Sequence, residues 1–192
     1  MIAIIKYNGG NVNSVQNAVS RLNADSIITD DFDTIRNADR VIFPGVGEAS
    51  STMENLKEKG LDLLIPSLRQ PVLGICLGMQ LMCGDNEEGN TIGMGIFDIR
   101  VRKFPAKDIV PHMGWNTVSQ LRSDLFSGIE DNSDVYFVHS YYCEQSEFAT
   151  SVCDYILPFS ASLQKDNFYA MQFHPEKSGT VGNRLLENFL KL

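Results

Sequence analysis

The sequence predicts an open α/β fold, a mostly parallel sheet with helices on its faces, and three observations predict it. Apolar, strand-like runs alternate with helical stripes through the first half of the chain. One of those runs ends at Cys76, with glycines two residues before and two after it and a helix-forming segment beyond. The second half changes character to shorter strands joined by turns, which predicts additional antiparallel or mixed strands.

Met1 to Tyr7 is expected to be the first buried strand, followed by a turn at Asn8-Gly9-Gly10-Asn11. A helix is expected from about Asn13 to Leu22, because Val12, Val15, Val19 and Leu22 recur at helical spacing. Ser26 to Thr29 and Arg40 to Phe43 supply the second and third strands, the latter closed by Pro44-Gly45-Val46-Gly47. Glu48 to Lys59 and Gly60 to Leu68 read as helical, with Met53, Leu56, Leu61, Leu64 and Leu68 facing inward. Pro71 to Met82 then reads as strand, sharp turn and helix.

Beyond Gly93, strands are expected at Ile96 to Val101, Asn116 to Ser119, Asp134 to Tyr141, Ser151 to Ile156, Ser160 to Gln164 and Phe168 to Phe173. Little helix is expected before Asn183 to Leu192. No repeat, low-complexity tract or Pro/Gly/Ser-rich linker interrupts the chain, so residues 1–192 are expected to form a single domain.

The composition, with 43% hydrophobic and 21% charged residues over 192, is that of a globular protein with a sizeable core. A net charge of -8 argues against nucleic acid or an anionic membrane as the main partner. Met1 to Ile5 is too short for a signal-peptide core, and no apolar run reaches membrane-spanning length. The four cysteines form no C-x-x-C pair, so a reducing cytoplasm is expected. The three histidines are too scattered for a zinc motif, and Gly9-Gly10 is followed by no Gly-Lys-Ser/Thr. No metal and no cofactor is therefore expected.

Gly74-Ile75-Cys76-Leu77-Gly78 after a strand has the pattern of a nucleophile elbow, with Cys where hydrolases often have Ser. A side chain at Gly74 or Gly78 would crowd the tight turn. Leu77 begins the helix, so Cys76 sits at a helix start, where N-H groups favour a thiolate. The bland alternative is a small buried hydrophobe. A Cys nucleophile needs a base, and the base an orienting carboxylate. His174 follows a late strand, and in an extended His174-Pro175-Glu176 segment the residues at i and i+2 point the same way, which would lay Glu176 beside the imidazole. His112 and His139 have no such carboxylate. With Pro44 to Gly47 as a source of oxyanion N-H donors, these pieces suit acyl transfer.

These residues closely resemble the class I, triad-type glutamine amidotransferases. The general class is carried by Gly74 to Gln80 and by Gln172-Phe173-His174-Pro175-Glu176. The glutamine amidotransferase subunits of imidazole glycerol phosphate synthase, in histidine biosynthesis, are the most similar branch. That branch is carried by Tyr7 to Asn11, Pro44 to Gly47, Pro111 to Asn116, Tyr136 to Tyr142 and Lys177-Ser178-Gly179, in family order along the whole chain.

The resemblance implies a flavodoxin-like fold in which Cys76 is the nucleophile, His174 the general base and acid, and Glu176 its orienter. Backbone N-H groups of Leu77 and Val46 would form the oxyanion hole, the second depending on rearrangement of the Pro44 to Gly47 strand. Gly47, Gln80, Glu88, His139, Ser140 and Tyr141 would hold glutamine. Asn11, Trp115, Tyr136 and Lys177 would lie at the contact or gate to a partner, a (βα)8-barrel synthase that uses the ammonia. For Trp115 the alternative is a core residue with its N-H satisfied. Competing readings are the amidotransferase subunits for anthranilate or aminodeoxychorismate, a peptidase with the same elbow, and a non-catalytic subunit. The Pro111 to Asn116 segment, Gln80 with His139 to Tyr141, and the filled triad weigh against them in turn.

Overall fold

In the computed structural model, which describes residues 1–9 and 11–192, the parallel layer is built as the alternation of strands and helices requires. Gly10, in the expected Asn8 to Asn11 turn, lies outside the described residues. The strands β1 (Ile2–Ile5), β2 (Ser26–Thr29), β3 (Arg40–Gly45) and β4 (Val72–Cys76) pair in parallel in the order β2-β1-β3-β4. The helices between and after them are α1 (Val12–Arg21), α2 (Phe32–Asn37), α3 (Ala49–Glu58), α4 (Leu61–Leu64) and α5 (Leu77–Met82).

Strand alternation sorts the apolar residues onto two layers. Ile2, Ile4, Ile42, Leu73 and Ile75 pack with Val15 and Val19 of α1 and with Leu185, Leu186 and Phe189 of the last helix, α6 (Gly179–Phe189). Ala3, Ile5, Val41, Phe43 and Val72 pack with Met53 and Leu56 of α3, Leu61 and Leu64 of α4, and Leu77 and Leu81 of α5. Each fully buried Ile, Leu or Phe contributes about 1.5–3 kcal/mol, so both faces of the sheet are anchored.

The second half supplies β5 (Asp85–Asn86), β6 (Thr91–Ile92), β7 (Val101–Lys103), β8 (His112–Val118), β9 (Ser133–His139), β10 (Tyr141–Cys143), β11 (Ala149–Asp154), β12 (Pro158–Lys165) and β13 (Phe168–Met171). β13 joins β4 in parallel, whereas β12 pairs antiparallel with β13, β10 and β11. β8 and β9 form a separate antiparallel ribbon, from His112↔His139 to Val118↔Ser133. The mixed character expected of this half is therefore observed.

The order β3-β4-β13 positions the site. Gly45 pairs with Cys76 and Met171 with Ile75, so the carboxyl ends of the three strands lie side by side. At such an edge an open sheet binds its ligands.

Several elements differ from expectation: the short strands β5 and β6 have no expected counterpart, and β8 begins at His112 rather than Asn116. α2 has no counterpart among the expected helices: it buries only Ile35, too little for a stripe, and is set by its Asp31 cap, whose Oδ1 accepts from Thr34 N at 2.8 Å. Ile96 to Arg100 is not strand, and only Val101 to Lys103 pairs. Ile96, Phe97 and Ile99 are apolar because they pack against the α3–α5 layer. Asp134 to Tyr141 is two strands, broken at Ser140 where the ribbon leaves the main sheet. The last helix starts at Gly179 rather than Asn183, because Gly182 lets it pack directly on the preceding turn. A Cβ at Gly182 would lie 1.9 Å from the Pro175 carbonyl oxygen.

Candidate active site

Cys76 ends β4 and precedes α5 with φ +54° and ψ −110°, a conformation a non-glycine residue rarely adopts. Its neighbours must be small for this turn to exist. A Cβ at Gly78 would stand 2.1 Å from the Phe43 carbonyl oxygen, and one at Gly74 would stand 2.7 Å from Met82 Sδ and 3.1 Å from Met79 N. The expected crowding at both glycines is observed, and Gly45 adds a third, with Gly78 N 2.4 Å from its would-be Cβ.

His174 meets Glu176 by a route other than the expected one. The segment is not extended through Glu176: Pro175 to Lys177 forms a 3-10 turn after an extended His174. The turn still sets His174 Nδ1 2.8 Å from Glu176 Oε1, with both side chains essentially buried. It is held by Ser178, whose Oγ donates to the His174 carbonyl at 2.6 Å and accepts from Tyr136 N at 3.0 Å.

His174 Nε2 and Glu176 Oε2 are buried and have no hydrogen-bond partner among the described residues. Burial works to lower the pKa of His174, but the Cys76 sulfur and the Glu176 carboxylate outweigh it and raise it to about 9. With the Cys76 sulfur ionised, the imidazole therefore carries a proton at neutral pH, ready to be given up.

Cys76 and His174 open into a cavity of about 320 Å³, large enough for an amino acid. Val46, Gly47, Leu77 and Gln80 line it, as do Glu88 and the His139 to Tyr141 segment. All the expected substrate-binding residues thus meet at one site, although their elements are far apart in sequence. Glu88 Oε2 accepts from the Ala49 N-H at 2.9 Å, and burial raises its pKa against that bond. Burial pushes His139 down to about 3 and His112 to about 4, so both are neutral at physiological pH. His139 Nδ1 bonds the Tyr141 carbonyl at 2.7 Å and Nε2 bonds His112 Nδ1 at 2.9 Å, so neither nitrogen is left for a ligand.

Of the residues expected at a partner contact, three cluster. Trp115 and Tyr136 are cross-strand partners with ring centroids 6.0 Å apart, and Lys177 Nζ lies 5.8 Å from the Tyr136 centroid. Trp115 is 58% exposed, which removes the core alternative. Asn11 stands at the start of α1, which packs beside the Pro175–Lys177 turn.

Three residues near the triad had no role assigned from sequence: Gln172, Ser178 and His112. All are buried polar groups. Gln172 lies between β13 and the base within a motif already singled out, but burial of its amide cannot be read from its position.

The Glutamine amidotransferase class-I family matches residues 4–192. The chain belongs to that family. It is 60% identical to imidazole glycerol phosphate synthase subunit HisH of Bacteroides fragilis strain YCH46 over 194 residues, covering 100% of this chain and 99% of the relative. It is 44% identical to the subunit of the same name from Escherichia coli K12, with the same coverage. Among solved structures, a putative GMP synthase protein from Thermoplasma acidophilum superposes with a TM-score of 0.75 at 20% identity, covering 99% of this chain and 92% of that one. PurLQS from Thermotoga maritima gives 0.68 at 13%, covering 99% and 97%. At those identities the likeness shows the fold, the class I glutamine amidotransferase fold.

Among the described residues no group of three or more His, Cys, Asp or Glu is placed to hold a metal ion, and no helix is long and apolar enough to cross a membrane.

Proposed function

We propose that the chain is the cytoplasmic glutaminase subunit of an imidazole glycerol phosphate synthase. In this reading it hydrolyses glutamine through a thioester on Cys76 and hands the ammonia to a (βα)8-barrel synthase subunit. That partner would use it to make imidazole glycerol phosphate and aminoimidazole carboxamide ribotide for histidine biosynthesis. The observation that carries the chemistry is the shared cavity of Cys76 and His174, with Glu176 hydrogen-bonded behind the imidazole.

Cys76, its proton held on His174 Nε2, attacks the side-chain carboxamide carbon of glutamine, and the oxygen that becomes negative is held by the N-H group of Leu77 and, once the Pro44 to Gly47 strand has rearranged, by that of Val46. The tetrahedral adduct collapses as His174 gives its Nε2 proton to the leaving nitrogen, releasing ammonia and leaving the thioester. Water then adds, passing a proton back to His174, and glutamate leaves. Glu176 keeps the ring in the orientation that points Nε2 at these atoms. Ammonia lost to water would be protonated and useless as a nucleophile, so a sealed interface is required. Exposed Trp115 and Met113, two residues apart on β8, give that interface an apolar anchor beside Tyr136 and Lys177.

Glutamate release is the test, measured with the chain alone, with the barrel partner, and with the partner and its nucleotide substrate. Release is expected to be highest in the last condition. No glutamate in any of the three overturns the reading.

A further inference from the structure

The geometry points to Gln172 as a further catalytic residue, a side-chain N-H donor to the sulfur of Cys76. This deepens the glutaminase reading and rests on it. Gln172 is fully buried, and its Nε2 lies 3.6 Å from Cys76 Sγ.

Which end of each amide faces which partner is decided by the backbone. The Tyr141 carbonyl can only accept, and it lies 3.0 Å from one terminal atom of the Gln80 side chain, which must therefore be the nitrogen. That same nitrogen is 2.9 Å from a terminal atom of Gln172, which must then be the oxygen. Gln172 is left with its NH2 group toward Cys76. Flipping either amide sets two donors or two acceptors against each other between buried side chains. The Tyr141 carbonyl is itself fixed by a second donor, His139 Nδ1 at 2.7 Å.

The arrangement serves both protonation states of the nucleophile. As a thiol, Cys76 has an acceptor for its S-H in the Val138 carbonyl at 3.8 Å. As a thiolate it has the Gln172 N-H. The donor acts most directly in the second half of the reaction. Water adds to the thioester carbonyl and its proton goes to His174 Nε2. On collapse the C–S bond breaks, its electron pair stays on Sγ where the Gln172 N-H receives it, and glutamate departs.

The test compares the wild-type complex with Gln172→Met, which keeps the volume and removes the donor. A second variant, Gln172→Glu, keeps the oxygen that accepts from Gln80 and removes the donor. A hydrogen bond to a charged acceptor predicts about 10–100-fold loss of kcat for glutamate release in both variants, with KM changed less than about threefold. A kcat within about twofold of wild type, or a loss confined to KM, overturns the assignment. No release by the wild-type complex instead defeats the glutaminase reading itself. If neither variant co-purifies with the partner, the wild-type protein decides. The side-chain amide resonance of Gln172 is expected to move with pH along the same midpoint as alkylation of Cys76 by iodoacetamide, and a flat resonance across that midpoint overturns the assignment.

Discussion

His174 Nδ1 and Glu176 Oε1 stand 2.8 Å apart, closed off from solvent, and this bond leaves the other ring nitrogen as the only one free to exchange a proton with the site. Replacing Glu176 by Gln removes the negative charge and offers the ring an N-H as well as an oxygen, so Nδ1 is no longer held in the protonated tautomer. The expected outcome is a loss of about 10²–10⁴-fold in kcat for glutamine with folding retained, and a shift to lower pH of the kcat limb set by His174. A pH–rate series on the variant complex checks it.

The turn around Cys76 tolerates no added carbon. Gly78→Ala would set a methyl 2.1 Å from the Phe43 carbonyl oxygen in the centre of the sheet edge. Overpacking against backbone is expected to cost at least about 1–3 kcal/mol and to displace the nucleophile. Urea unfolding should show the loss, accompanied by reduced glutaminase activity in whatever protein remains folded.

Stability should peak near pH 6.5, with two different causes on its two sides. His112 and His139 have pKa values of about 4 and about 3 when folded against 6.5 when unfolded. Below pH 6.5 the unfolded chain therefore binds more protons, and stability is lost as pH falls. His174, raised to about 9, contributes stability that is complete below 6.5 and lost as pH rises through 9. Thermal midpoints from pH 5 to 9.5 test both limbs. Cys76→Ala should flatten the alkaline limb and leave the acid one, because the Cys76 sulfur is a cause of the raised value.

Trp115→Ala should separate association from folding. The ring is largely exposed, so unfolding stability is expected to change by less than about 0.5 kcal/mol. A buried aromatic anchor at an interface is worth about 2 kcal/mol or more, so affinity for the barrel partner should fall at least about 30-fold. Titration calorimetry with the purified partner measures it.

Much of the fold and site is legible in the sequence because it depends on local chemistry. The glycines at 74 and 78 announce a crowded turn, the apolar runs announce strands buried on both faces, and His174-Pro175-Glu176 announces a base with its carboxylate. What cannot be read depends on where the chain returns in space. Ile96 to Ile99 has a strand's composition but is apolar through packing alone. The His174–Glu176 pair is formed by a 3-10 turn rather than an extended segment, although both place the carboxylate within reach. Gln172 and Ser178 show no periodic signal, since a buried polar residue is recognised only by its partners, and those partners lie on β4, α5 and β9 and at His174.

Cys76 is the centre of the proposed chemistry, a nucleophile that serves glutamine alone. The most direct measurement pairs two assays on the Cys76→Ala complex with the barrel synthase: product formed from glutamine and product formed from free ammonia. Glutamine-dependent synthesis is expected to be abolished while ammonia-dependent synthesis proceeds at the wild-type rate. Glutamine-dependent turnover persisting in the variant would contradict the role of Cys76.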